Sequence, residues 1–424
     1  MYKKLGLRTK ITPLAFILFA FTAFGVFSTT SIAKDTVEIE FLTNQYVPEA
    51  SKVFKESIAL YEKMNPNVKI KFKEVPFPSL FETIDTTLAS GAPVMDVFSA
   101  DAPLVPKYAA AGAILPFKNY TDEEMKDFLP GELEEAMWNG KFYAAPQITS
   151  SQGIYINKAL FKKAGVPLPS TNPANRLTWA EVRNIAKKLT KTNGDITTQW
   201  GLIVEQSTAP YQLYPLIQSL GGEVISPDGS TVDGYINSPK AIKAMTFYQD
   251  LYCFDQVSPK EYVPEAFTSG KTAMMLGGTW HVGNFASKTG LDWMVTPHPY
   301  FEKEVTPTGS FHVAVNANTN HPKEATDFAK YLTGTQRSIA LAKATNEIPS
   351  RKSVFEALPR QFAAHPNDIF LYELKNTAIP RARTPAYGAM EDILRGTFQS
   401  IITCADVKST LNSAVARIDS FLKE

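Results

Sequence analysis

Apolar and charged residues alternate through Val37-Glu38-Ile39-Glu40-Phe41, the two-residue period of a half-buried strand. The pattern then changes. Phe54, Ile58 and Tyr61 fall at i, i+4 and i+7 on one helical face, and Pro66 lies beyond the end of that helix. Alternation returns where Val68, Ile70 and Phe72 interleave with Lys69, Lys71 and Lys73. Strand, helix, strand in that order predicts a parallel pair with a right-handed crossover. Met95-Asp96-Val97-Phe98 predicts another short strand, ending at Ser99-Ala100-Asp101.

Further along, Asn139-Gly140 between Met137-Trp138 and Phe142-Tyr143 predicts a hairpin, and Ile154-Tyr155-Ile156 a strand. Thr178 and Glu181 have capping-box spacing and open a helix expected to run to Asn193-Gly194. Ser238-Pro239 opens a second helix, with an N-cap and a proline at the first helical position, and Pro322 and Gly334 bracket a third. Repeated alternation of this kind is an α/β architecture with helices on both sheet faces. At about 150 residues per domain, 424 residues suggest two or three domains, and two α/β lobes are the expected arrangement. The sequence has no internal repeat, low-complexity tract or long flexible linker.

The first 33 residues read separately. Lys3, Lys4, Arg8 and Lys10 precede an apolar stretch from Leu14 to Phe27 broken by Thr22, and Ser31-Ile32-Ala33 offers small residues at −3 and −1 of a cleavage site. This predicts a signal peptide (1–33) cleaved after Ala33. The stretch is short against the roughly 20 residues of a membrane span, which leaves a retained anchor as the alternative. No cysteine precedes Cys253, so no lipobox is present and a free periplasmic protein is expected.

Forty-three basic residues against 42 acidic ones argue against nucleic acid held by bulk charge. A hydrophobic share of 44% fits an ordinary globular chain rather than a disordered one. Two cysteines exclude a disulfide-dense scaffold and a four-thiolate zinc site. Cys253 and Cys404 are compatible with a bridge and equally with two buried thiols. The five histidines form no HExxH, no GxSxG occurs, and no GxGxxG follows a strand. Ser269-Gly270-Lys271-Thr272 ends like a phosphate-binding loop, but Glu265 stands where that motif needs glycine. Paired carboxylates able to cleave glycosides remain open, because their separation is spatial rather than sequential.

Several phrases resemble the extracellular solute-binding proteins of ABC importers, the cluster that includes maltose-binding protein. Leu88-Ala89-Ser90-Gly91-Ala92-Pro93-Val94-Met95-Asp96-Val97 is similar to one family segment, with Met95 where proline is usual. Tyr108 to Pro116, Gly140 to Pro146, Ile154 to Lys158, Thr178-Trp179 and the Phe267, Gly270, Lys271, Ala273, Met274, Trp280 set resemble others, in family order. The resemblance implies two lobes joined by crossing segments, with ligand in the cleft between them. Lobe one would be 34–146 with 298–332, and lobe two 147–297 with 333–424. The chain would cross near Ala145-Pro146-Gln147, Pro297-His298-Pro299 and Leu332-Thr333-Gly334.

The same resemblance implies a ligand site. Asn44 and Gln45 follow the first strand and Asp101 the third, and ligands of open α/β sheets sit outside the carboxyl ends of strands. Gln147 lies at the first crossing. Tyr211, in Ala209-Pro210-Tyr211, matches a sugar-stacking tyrosine, although Ala209 replaces an acidic residue. Trp280 stands where the family carries a stacking indole, Gly309-Ser310 at a small-residue turn, and Arg383 and Tyr387 among the late cleft residues. The implied function is capture of a small carbohydrate, without cofactor or metal, and delivery to the transmembrane subunits of an ABC permease by a monomer that is not an enzyme. Arg381 and Arg383 leave open a second ligand class, a phosphate or carboxylate ester such as a glycerol phosphodiester. A secreted saccharide-acting enzyme is the third reading.

Overall fold

The computed structural model of the chain describes residues 36–45 and 47–423. The expected export segment, Tyr46 and the Ser310 side chain lie outside the described residues.

The opening alternation forms the strand Val37–Asn44, which pairs in parallel with Val68–Val75, Val37 opposite Val68 and Phe41 opposite Phe72. Helix Pro48–Met64 connects them and buries Val53, Phe54, Ile58 and Tyr61. Phe41 meets Phe54 edge-on at 5.8 Å between centroids, and Phe328 closes the same cluster from helix Pro322–Leu332. Each such side chain taken out of water contributes about 1.5–3 kcal/mol, which is why the lysines of the second strand face outward and Val68 and Ile70 inward.

Among the described residues, the strands form a six-stranded sheet, a five-stranded sheet and two two-stranded pairs. The first runs, edge to edge, Ile348–Pro349, Ala144–Ser150, Gly309–Val315, Val97–Asp101, Val37–Asn44, Val68–Val75. The second runs Trp293–Pro297, Gln152–Asn157, Thr272–Gly278, Ile196–Val204, Lys191–Asn193. The chain passes from one to the other through Ser151, a buried residue whose hydroxyl donates to the Phe370 carbonyl at 2.9 Å. It returns between Pro297 and Gly309. That return is pinned by Arg176, which donates to the His298 carbonyl at 3.2 Å and pairs with buried Glu373 at 3.1 Å. Glu373 in turn accepts from the His298 amide and the Thr306 hydroxyl.

Two stretches near the expected lobe limits belong to the six-stranded sheet or pack against it. Gln147 to Ser150 stay in the six-stranded sheet, and the chain leaves that sheet after Ser150. The segment 333–349, expected with lobe two, pairs its strand Ile348–Pro349 with Thr149 and Ile148, and helix Thr335–Thr345 buries Leu341 in the core that holds Phe54.

Local details also depart from the expectations. The Thr178 capping box is complete, but the helix is Trp179–Leu189 and does not reach Gly194. Lys191–Asn193 is instead a strand that turns back at Gly194 (φ 60°) into Ile196–Val204, because Asn-Gly is better hairpin than helix stop. The third strand begins at Val97 rather than Met95. Met95 has φ 54°, and Asp96 accepts hydrogen bonds from the Glu40 amide and the Thr319 hydroxyl. Cys253 and Cys404 are joined in a disulfide, which ties the end of helix Pro239–Cys253 to the turn after helix Tyr387–Ile402.

Candidate functional site

A cavity of about 370 Å³ lies where both sheets present strand ends and the turns that follow them. From the six-stranded sheet come Asn44, Gln45, Asp101, Thr149, Ser150 and Gly309; Glu205 and Trp280 follow strands of the five-stranded sheet. Tyr211 enters from the first turn of helix Pro210–Ser219. Helix Phe77–Ser90 adds Phe77 and Phe81, which meet edge-on at 5.3 Å.

The aromatic wall is built on two glycines. Trp280 stands in the turn Thr279–His281, directly after the strand Thr272–Gly278. A Cβ at Gly278 would lie 2.0 Å from its ring, so only glycine leaves the indole its present seat. A Cβ at Gly309 would come within 2.8 Å of the Tyr211 ring in the same way. The two rings lie 6.1 Å apart and are inclined at 45°. Tyr211 is fixed at its far end, where its hydroxyl is 2.9 Å from Ser150 Oγ, and Ser150 donates to the Gly309 carbonyl at 3.0 Å. Burial pushes the Tyr211 phenol above its ordinary range, so it stays neutral.

Charge in the cavity is largely matched internally. Asp101 accepts both guanidinium nitrogens of Arg381, one at 2.7 Å, in a buried fork-to-fork pair. Burial opposes the charge of Arg381, yet Asp101 beside it holds the guanidinium pKa above the usual value. The Arg381 guanidinium also lies 5.2 Å from the Tyr211 ring and 5.8 Å from the Tyr387 ring. Arg395 pairs with Glu391 at 2.5 Å, one helical turn apart. Glu347, at the end of helix Thr335–Thr345, is pushed up to about 7 by burial, partly offset by a hydrogen bond from Thr279 at 3.3 Å. Glu205 lies 3.5 Å from His281.

Of the residues expected in the site, Asn44, Gln45, Asp101, Tyr211, Trp280 and Gly309 line this cavity. Gln147 is buried in strand Ala144–Ser150, which sends Thr149 and Ser150 into the cavity, and is not itself among the lining residues. Tyr387 is buried behind Arg381. Arg383 is held elsewhere, donating to the Met137 carbonyl and lying 3.5 Å from Glu134, while Arg381 takes the cavity position. The Asp101 carboxylate makes no helix-capping hydrogen bond. Sequence reading missed Glu205, Glu347, Glu391 and Arg395. Glu205 follows the strand Ile196–Val204 and was open to the strand-end rule that found Asp101; Glu391 and Arg395 reach the cavity from helix Tyr387–Ile402, and Glu347 from the loop between helix Thr335–Thr345 and strand Ile348–Pro349. Away from the cavity, Glu132, Glu135 and His312 place metal-ligand-type atoms within 4.8 Å of one another, all buried. Burial holds the His312 imidazole down at about 4, against the pull of Glu135 and Asp101.

The sequence profile of the bacterial extracellular solute-binding protein family matches residues 45–336, and the chain belongs to that family. Over 249 residues it is 26% identical to a Brucella abortus (strain 2308) protein, a match covering 57% of this chain and 58% of that one, so less than two thirds of that relative's length is spanned. It is 25% identical over 401 residues to the maltodextrin-binding protein MdxE of Bacillus subtilis (strain 168), with 89% of each chain covered. To the sn-glycerol-3-phosphate-binding periplasmic protein UgpB of Brucella abortus it is 26% identical, over 74% of this chain and 73% of that one. In three dimensions it resembles the ABC substrate-binding protein Lmo0181 of Listeria monocytogenes in complex with cycloalternan (TM-score 0.82, 20% identity, 92% of this chain and 100% of that one). The maltose/maltodextrin-binding domain MalE of Bdellovibrio bacteriovorus bound to maltotriose gives 0.79, at 21% identity, 92% and 100%. These likenesses establish the two-lobe α/β fold of periplasmic binding proteins. Among the described residues, no helix is long and apolar enough to cross a membrane.

Proposed function

We propose that this chain is the exported substrate-binding subunit of an ABC importer, that it takes a small carbohydrate into the cavity between the two sheets, and that it delivers the ligand unchanged to a permease. The observation that carries this reading is the pairing of Trp280 and Tyr211 on one wall with polar strand-end groups, Asn44, Gln45 and Ser150 among them. The C–H face of a pyranose packs on such rings, while hydroxyls need a few placed polar partners. The known ligands of MdxE and of the Lmo0181 and MalE complexes support the same class. The lobes are taken to be the two sheets with their helices, closing over ligand by a hinge that both contact.

UgpB favours a glycerol phosphate ester instead. Against that reading, both arginines of the cavity are already paired with carboxylates, and Arg383 is engaged outside it. Isothermal calorimetry with a panel of mono- and oligosaccharides and glycerol 3-phosphate tests the proposal. Saturable heat with a saccharide is expected. Silence across all saccharides, with heat from glycerol 3-phosphate, overturns the carbohydrate reading, and mass spectrometry showing ligand altered after incubation overturns the binding-only part.

A further inference from the structure

The ionic inventory of the cavity is lopsided. Its lining carries Asp101, Glu205, Glu347 and Glu391 against Arg381 and Arg395. Two of the carboxylates are matched: Asp101 takes both forks of Arg381, and Glu391 takes Arg395. Glu205 and Glu347 have no arginine or lysine partner among the described residues. Both reach the same turn, Thr279–His281, that carries the stacking indole. Glu347 accepts from the Thr279 hydroxyl at 3.3 Å, and Glu205 lies 3.5 Å from His281 Nε2, beyond hydrogen-bonding range. The buried Oε2 of Glu205 has no hydrogen-bond donor in the structure. Burial raises the Tyr155 phenol above its ordinary range, and both carboxylates push it the same way.

Carboxylates in a cavity, each reaching the turn that carries a tryptophan, are complementary to a cation, which gains charge-assisted hydrogen bonds from the first and, where it lies over the ring, a quadrupole attraction from the second. A cation would also draw the buried Glu347 carboxyl, whose pKa burial pushes up to about 7, toward its ionised form, whereas a neutral hydroxyl would leave it partly protonated. An anion would meet uncompensated repulsion.

Building on the carbohydrate reading, we propose that the preferred ligand is a saccharide bearing a protonated amine, with Glu205 and Glu347 receiving the ammonium group beside Trp280. The cavity then discriminates a free amino sugar from its N-acetylated or hydroxyl counterpart by charge rather than by shape. Glu205 and Glu347 are its specificity residues, and the Arg381–Asp101 and Arg395–Glu391 pairs leave the rest of the wall close to neutral.

Calorimetry with matched ligands tests this. Glucosamine, galactosamine, mannosamine and the glucosamine disaccharide are each titrated against the N-acetylated form and the corresponding neutral sugar, with wild type, E205Q and E347Q. Glutamine keeps size and hydrogen bonding while removing charge, and thermal melts establish that each variant is folded. The expected result is at least one pair in which the free amine binds tenfold or more tightly than both counterparts. That advantage should shrink at least tenfold in either variant, while affinity for the neutral sugar moves less than threefold. Equal or weaker binding of every free amine, or an amine preference that survives both substitutions, overturns the inference. If neutral sugars bind in that case, the carbohydrate reading stands and only the amine assignment falls. If no sugar of any kind binds wild type, both fall together.

Discussion

Gly278 is the position at which a single carbon decides the geometry of the aromatic wall. A methyl group there has to displace the Trp280 ring, so G278A is expected to weaken saccharide binding by at least tenfold in calorimetry. G131A, at an ordinary backbone conformation with open space around its Cβ, serves as the matched control and should leave affinity unchanged. Glu347 supports a second expectation at this scale. Its pKa rises on folding from an ordinary 4.5 to about 7, so the folded chain binds more protons than the unfolded one between those values. The stability it contributes is fully present below about pH 4.5 and is lost as pH climbs through 7. His298 and His312, buried and held down at about 3 and 4, act oppositely, costing stability as pH falls below 6.5. Thermal melts of ligand-free E347Q beside wild type isolate the glutamate: the stability difference between them should drift in favour of E347Q from pH 4.5 to 7 and then level off. Asp101, Tyr211 and Trp280 were legible in the sequence because each follows a recognisable strand or motif. The choice between Arg381 and Arg383 was not, since two residues of one extended segment differ only in where tertiary structure sends them: one to Asp101, the other to the Met137 carbonyl.

At the level of elements, strands and helices were legible wherever burial was one-sided. Val68 to Lys73 alternates cleanly because one face of that edge strand meets solvent. Strand Ala144–Ser150 is almost wholly buried and carries no such alternation, so its extent past Gln147 could not be read. Strand Lys191–Asn193 was absorbed into the preceding helix because a turn glycine serves either role. The disulfide was undecidable from spacing alone, as it joins two cysteines 151 residues apart in sequence. Its loss in C253S/C404S should lower unfolding free energy by about 2–4 kcal/mol, seen as a shifted denaturant midpoint, with ligand affinity retained because neither cysteine lines the cavity. An unchanged midpoint would mean that the two helices hold each other by packing alone.

For the whole molecule, hinge closure over ligand should reduce the radius of gyration measured by small-angle scattering when saturating ligand is added. R381M should blunt that response. Removing the guanidinium leaves Asp101 as a buried, unmatched carboxylate and unties the segment near residue 381 from the end of the third strand. The two-lobe plan was legible because motif order runs along most of the chain. The packing of 333–349 against the six-stranded sheet was not, since it rests on one two-residue strand and one buried leucine. The strand order has its own consequence for biogenesis. Gly309–Val315 fills the middle of a sheet whose other principal strands all precede Ser150, so synthesis must proceed past Val315 before the amino-terminal half can close its own ladder. Until then the nascent chain presents two open strand edges, a state suited to threading through a translocation pore and to capture by holding chaperones. No contiguous fragment ending before that strand should be recoverable as a folded, soluble piece.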